Sequence, residues 1–223
     1  MTTLLLQLVA PMQSWGVQSH FTHRDTGLEP SKSGVIGLIC AALGRDRAEP
    51  IDDLAMLRMG VRADREGILK SDYHTAQYVM KAGGKPFGGL KETELSQRFY
   101  LADAAFLVGL EGDADVLTCA HTALLRPHWM LFLGRKAFVP SRPIGLEDGL
   151  RQADLSEALS SYQPLIKHAD VDRSVRYVIE ATEGEGVRPD QPVSFAKDNR
   201  QFLDRRVRTF FALIQNKQIK EEV

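Results

Sequence analysis

Cysteine is scarce: Cys40 and Cys119 are the only two in 223 residues. Both fall in apolar helical patterns, so they are expected to be small buried hydrophobes in a reducing compartment, not a disulfide or a metal centre. No apolar run reaches the roughly 18 residues that span a bilayer. No basic region precedes Leu4-Leu5-Leu6 and Gln7 breaks that run, so no signal peptide is expected and the cytoplasm is the expected location. An excess of one charge is missing too. With 28 Lys and Arg against 29 Asp and Glu the net charge is −1, which excludes a generic basic nucleic-acid binder and confines any such role to local patches. Gly-x-Ser-x-Gly, Walker, Gly-x-Gly-x-x-Gly and paired-aspartate motifs are absent, as are internal repeats and low-complexity segments.

What is present reads as an ordinary globule, 43% hydrophobic and 26% charged, long enough for one large domain or two small ones. Leu4 to Ala10 predicts a buried strand, and Ser33 to Leu43 a helix stopped by Gly44. Asp52 to Leu57 predicts a short helix, and the alternation from Met59 to Arg65 a strand. Tyr73 to Val79 and Gln97 to Leu101 are expected to pair as arms of a long hairpin, whose tip from Gly83 to Gly89 has only Phe87 to offer a core. Ala104 to Leu110 predicts a strand, Asp115 to Leu125 a helix, and Met130 to Val139 a strand interrupted at Leu133-Gly134-Arg135-Lys136. This βαββαβ order with a hairpin insertion predicts an α+β, ferredoxin-like fold of the kind shared by RNA-recognition domains. The loop from Pro140 to Gly149 suggests a division into a ferredoxin-like domain over 1–145, its insertion at 72–101, and a small β-rich part over 146–223. The latter is expected to hold a helix at Asp154 to Leu159, a strand at Ser174 to Ala181, an acidic turn at Glu183 to Gly186 and a basic strand at Arg205 to Leu213.

The polar stretch between the first strand and first helix is the most informative. Its end, Arg24-Asp25-Thr26-Gly27-Leu28-Glu29-Pro30-Ser31-Lys32-Ser33-Gly34, places cations beside a helix start. Backbone N–H groups there carry partial positive charge, so the stretch reads either as an anion cradle with Arg24 and Lys32 or as a capped helix behind a surface loop. Arg126 to Arg142 holds four cations and no acid, with Trp129, Phe132 and Phe138 interleaved. Lys197 to Arg208 holds five cations against two acids. Both fit phosphate contacts with stacking platforms, and equally a solvated face above core aromatics. Of six histidines, His20-x-x-His23 lacks further ligands at metal spacing, and His121 is expected to be a satisfied structural residue on its helix.

Four motifs then occur in order: Pro11-Met12-Gln13-Ser14-Trp15-Gly16, the stretch from Arg24 through Leu38, Asp72-Tyr73-His74-Thr75, and Leu133-Gly134-Arg135-Lys136. Together they resemble the Cas-five family of RAMP-type RNA-binding proteins, in the form found in the type I-E CRISPR surveillance complex, Cascade. The resemblance runs from Leu4 to about Pro143 and more loosely to the last strand. It implies a modified RNA-recognition fold with a β-hairpin thumb, and a non-catalytic subunit, without cofactor or metal, that binds the 5′ handle of the CRISPR RNA in antiviral defence. It also implies a cap on the complex's backbone filament, partners in the neighbouring backbone subunit and the large subunit, and a place near target DNA. On the matching positions it implies handle contacts at Gln13, Ser14 and Trp15, phosphate contacts at Arg24, Lys32 and Ser33, thumb contacts at His74, Lys91 and Arg98, and backbone contacts at Arg135 and Lys136. For Trp15 a plug in the core beside Met12 is the alternative. Type I-C relatives cleave RNA with a Tyr, Lys and His cluster, so a metal-independent endoribonuclease is the enzyme alternative, through Tyr73 with His74 or Lys136 with His128. A protein-only scaffold, whose patches meet acidic subunits, is a third reading.

Overall fold

Leu4, Leu6 and Leu8 enter one hydrophobic cluster while Leu5 and Val9 enter another, so the first strand is apolar on both sides because both sides are covered. The computed structural model describes residues 1–17, 22–78, 93–166 and 174–214. The elements are β1 (Thr2–Val9), β2 (Met12–Gln13), β3 (His23–Arg24), α1 (Lys32–Leu43), α2 (Asp52–Ala55), β4 (Arg58–Arg65), β5 (Ile68–Gln77), β6 (Thr93–Ala102) and β7 (Ala105–Gly112). They continue with α3 (Ala114–Leu125), β8 (Gly145–Arg151), α4 (Leu155–Ser161), β9 (Val175–Glu180), β10 (Gly186–Ser194) and β11 (Gln201–Ala212). Seven strands form one antiparallel sheet in the order β10-β11-β9-β4-β7-β1-β8. Apolar residues of α1 and α3 join Leu4, Met59, Val61, Phe106 and Val108 on one face, and those of α4 join Leu5, Leu107, Tyr177 and Ile179 on the other. The architecture is mixed α and β with antiparallel sheets. No helix among the described residues is long and apolar enough to cross a membrane.

Local chemistry explains the seating of the helices. Ser31 caps α1, its side chain accepting from the Gly34 N–H, and Gly44 ends it at φ 73°. The cross-strand partners Gly60 and Gly109 give α4 its bed. A Cβ on either would lie 2.8 or 2.7 Å from Leu159 or Leu155. Beside that bed two polar residues of β4 do not reach water, although Arg58 and Arg65 at its ends do. Arg62 and Asp64 are buried and paired at 2.6 Å. Arg62 also donates to the carbonyls of Leu159, Tyr162 and Gln163, and the Leu165 N–H donates to Asp64 at 2.6 Å. This pair fastens the C-terminal end of α4 to the sheet, with the cation at the helix's negative pole.

The structure departs from the expectations in four places. Met130 to Val139 is not a strand: Leu131, Leu133 and Phe138 are buried anchors of a turn in which the Leu133 N–H bonds the Phe138 carbonyl. The fourth core strand lies later, as β8, which begins inside the stretch expected to be a loop and runs past its end. Consequently residue 145 opens a strand paired with β1, and β9 pairs with β4, so one sheet runs across the expected division. β10, which carries Pro189 and Pro192, has no counterpart among the expected elements; it lies at the sheet's edge, where missing N–H donors are tolerated. Finally, Cys40 is buried but Cys119 is exposed, on the side of α3 away from Leu117, Ala120 and Leu124.

Two measurements check this reading. Asp64→Ala leaves the Arg62 charge buried without its partner and should cost about 3–5 kcal/mol, read from the urea midpoint. Burial raises the Cys40 thiol from 9.0 to about 11. Its contribution to stability is therefore complete below pH 9.0 and lost as the pH rises through about 11, because the unfolded chain sheds that proton first. At pH 8 a thiol reagent should modify Cys119 rapidly and Cys40 only on unfolding.

Candidate nucleic-acid interface

Beside the large sheet stands a smaller one built on the hairpin of β5 and β6, in register from Ile68 opposite Ala102 to Gln77 opposite Thr93. The pairing is longer than the expected arms. β2 adds to the base of β6 in antiparallel sense, and β3 lies parallel to it, with Arg24 opposite Arg98. The turn at 133–138 closes the site from below. Gly134, at φ 94°, presses on the loop after β2 so closely that a Cβ would fall 1.9 Å from the Ser14 carbonyl oxygen. The Ser14 N–H in turn donates to the Leu133 carbonyl at 3.1 Å.

Three arginines converge here. Asp72 lies directly opposite Arg98, and His74 opposite Ser96, so these four share one face of the hairpin. Arg98 Nε donates to Ser96 Oγ at 3.0 Å. From the turn, Arg135 donates to the Phe99 carbonyl at 2.7 Å and, more weakly, to the Arg24 carbonyl at 3.5 Å, while its guanidinium lies 5.2 Å from the centre of the Phe138 ring. Burial is the main cause that pushes Arg135 below its ordinary pKa; the charge of Arg98 adds to it, Asp72 opposes, Arg24 adds and Asp25 opposes. Neighbouring like charges of this kind favour an anion. Arg24 and Lys136 are exposed and Arg98 is half-buried. His23 stacks obliquely on Phe99 at 5.5 Å, and Tyr100 on Phe138 at 6.0 Å.

The structure thus brings together Arg24, Arg98, Arg135 and its neighbour Lys136, with His74 on the same hairpin face as Arg98. It places the other expected residues elsewhere. Gln13 is fully buried, donating to the Leu8 and Ala104 carbonyls at 2.9 Å each and accepting from Trp15 Nε1 at 3.2 Å. Trp15 is buried against Gly34 of α1, whereas Met12 is exposed. Ser14 is buried, its hydroxyl near the Asp25 and Phe99 carbonyls at 3.5 and 3.4 Å, and Ser33 is half-buried in the first turn of α1. Lys91 lies outside the described residues, as do the hairpin tip and His20.

Lys32 is the instructive case. It is 1% exposed and paired with Glu180 at 3.0 Å. Burial lowers its pKa, Glu180 pulls the other way, and Arg205 adds to the depression. The helix start beside it already holds an anion: Asp190 accepts from the Lys32 N–H at 2.8 Å and from Arg205 at 2.6 Å. The expected cradle is therefore filled by the protein's own carboxylate. The residue types were legible, but their partner lies 158 positions away. Asp72 and Asp25, the counter-charges of the arginine cluster, were not singled out either; the hairpin register was the signal that would have found Asp72.

The nuclease constellations do not assemble. Tyr73 and His74 are consecutive on β5 and face opposite sides. His128 packs on Gly44 at the end of α1, its ring edge-on to Trp129 at 5.2 Å. His121 is satisfied by the Leu146 carbonyl at 2.8 Å, as expected. Among the described residues no three His, Cys, Asp or Glu side chains are grouped to hold a metal.

Residues 3–208 match the family model described as CRISPR-associated protein (Cas_Cas5). The CRISPR system Cascade subunit CasD of Escherichia coli (strain K12) is 34% identical over 180 residues, covering 73% of this chain and 77% of that one. A crystal structure of a Cas protein matches with a TM-score of 0.77 and 44% identity over 95% of each chain. A chain of a CRISPR RNA-guided surveillance complex matches with a TM-score of 0.79 and 35% identity, covering 94% of this chain and 90% of that one. The chain belongs to the CRISPR-associated Cas_Cas5 family, and within it is of the type I-E CasD kind.

Proposed function

We propose that this chain is a non-catalytic, CRISPR RNA-binding subunit of a type I-E Cascade complex, acting in the cytoplasm, and that the arginine cluster holds the 5′ handle of the RNA. The convergence of Arg24, Arg98 and Arg135 carries the reading, because three guanidinium groups beside a half-buried turn create a site whose charge an RNA backbone relieves. Arg135 acts chiefly as a positioning residue, since two carbonyls already take its donors. Arg24, Arg98 and Lys136 supply the phosphate contacts, and His23, His74 and Tyr100 offer ring and hydrogen-bonding edges to splayed bases. Gln13, Ser14, Trp15, Lys32 and Ser33 support the loop from beneath. The strand order β8-β1-β7-β4, with α1 and α3 on one face, supports a ferredoxin-like core, and the hairpin of β5 and β6 stands where a thumb would leave it. In the assembly the chain caps the backbone filament, beside the neighbouring backbone subunit and the large subunit and close to target DNA.

End-labelled CRISPR repeat RNA and a scrambled control, run on both gel-shift and denaturing gels, test the proposal. Repeat-preferring binding with intact RNA is expected; metal-independent cleavage at one position would overturn the non-catalytic reading. Arg24→Glu and Arg98→Glu should each weaken binding and flatten the log–log salt dependence by about 0.7 per lost contact. Lys32→Met, by contrast, should lower stability and leave that slope unchanged. Gly134→Ala forces a side chain into φ 94° against Ser14. It should cost about 1–3 kcal/mol from the backbone conformation alone, and lower RNA affinity even in the folded fraction.

A further inference from the structure

The basic run from Lys197 to Arg208 takes no part in the arginine cluster, and the structure gives it a face of its own. β11 lies two strands outward from β4 on the large sheet, whereas the cluster stands on the small one. On β11 the even-numbered residues Phe202, Asp204, Arg206, Arg208 and Phe210 share one side. Beyond the edge of α4 this side is open: Arg206 and Arg208 are exposed, as is Arg200 just before the strand. The guanidinium of Arg200 lies 5.1 Å from the centre of the Phe202 ring and that of Arg208 6.0 Å from the centre of Phe210, whose other neighbour is Tyr177 in a parallel stack at 5.2 Å. Arg206 donates only to the Gly184 carbonyl at 3.4 Å. Arg205, on the opposite side, is by contrast consumed by Asp190. Among the described residues Arg200, Arg206 and Arg208 have no carboxylate partner, although Asp204 on the strand and Glu183 and Glu185 in the adjacent turn are exposed nearby.

An arginine stacked on a ring is held flat by its face, which leaves its N–H edges free and pre-oriented for a bidentate acceptor. Tyr177 and Arg208 cover Phe210, whereas Phe202, tilted against Phe195 at 6.3 Å, stays exposed and offers a face that stacks on any base. The best-formed clefts among the described residues are lined by Arg176 and Phe211 and by Trp15 and Arg188, not by these three arginines, whereas protein interfaces rely on aromatic anchors seated in pockets. A row of free guanidinium edges without pockets matches a phosphodiester backbone read without regard to sequence. We propose that Arg200, Arg206 and Arg208 form a second nucleic-acid contact, separate from the handle site, that takes the backbone of a single strand irrespective of its sequence.

The test uses the purified chain and a fluorescein-labelled homopolymer of deoxythymidine, followed by anisotropy between 50 and 200 mM salt. The wild-type chain is expected to bind, and R200Q/R206Q/R208Q to flatten the salt slope by about 2, from about 0.7 per contact. The single variants R206Q and R208Q, both on exposed positions, should each give a third of that change. Circular dichroism shows whether each variant is folded. Repeat-over-scrambled preference should survive in the triple variant and be lost in R24E/R98E, so that failure of the handle site and failure of the ridge are told apart. No homopolymer binding by the wild-type chain, or an unchanged slope in the folded triple variant, would overturn the proposal, and would leave the face to an acidic protein surface.

Discussion

One carboxylate ties the two ends of this molecule together. Asp190, on the outermost strand of the large sheet, accepts from the first N–H of α1 and from Arg205, while Lys32 and Glu180 complete a buried network around it. A buried carboxylate is costly unless donors surround it, and a helix start supplies them with partial positive charge already in place. The loop from Arg24 to Ser31 is drawn against the same sheet a second time through Glu29, which accepts from both Arg176 and Arg188. Arg24 therefore sits on a loop whose far end is fixed by residues more than a hundred positions downstream. This anchorage adds to the pairing of β3 with β6 in fixing where Arg24 stands.

The cluster itself shows how a nearly neutral chain concentrates charge. Its arginines are not clustered in sequence; they arrive from a two-residue strand, a hairpin arm and a turn. Each is restrained differently: Arg98 by Ser96, Arg135 by two carbonyls, and Arg24 by pairing of its strand with β6. Restraint by neutral oxygens leaves the positive charge largely uncancelled, and Asp72 and Asp25 soften the repulsion without removing it. In the proposed RNA contact, donors held in this way need little reordering to meet a phosphate.

The sequence was most legible where local chemistry decides. The capped start and Gly44 stop of α1, the apolar run of β1 and the hairpin arms all follow from local residue patterns. It misled where a residue's partner lies far away. Lys32 and the helix start looked like a phosphate cradle because nothing local reveals that Asp190 fills it. Arg62 and Asp64 gave β4 the alternation of a half-exposed strand, although both are sealed under α4. The turn at 133–138 imitated a strand because Leu131 and Leu133 are spaced like one. Of the arginine cluster, Arg24, Arg135 and Lys136 lie in the quoted motifs and Arg98 on the expected hairpin arm, and their mutual geometry came only with the pairing of β3 and β6.

The prolines of β10 have a consequence for assembly. A free sheet edge offers backbone donors and acceptors to any extended chain and so invites unwanted zippering. Pro189 and Pro192 each delete a donor from this edge, and the register slips twice along it. A further strand cannot follow such an edge for more than a residue or two. The large sheet thus ends on β10, and on that side neighbours must recognise the chain through its side chains.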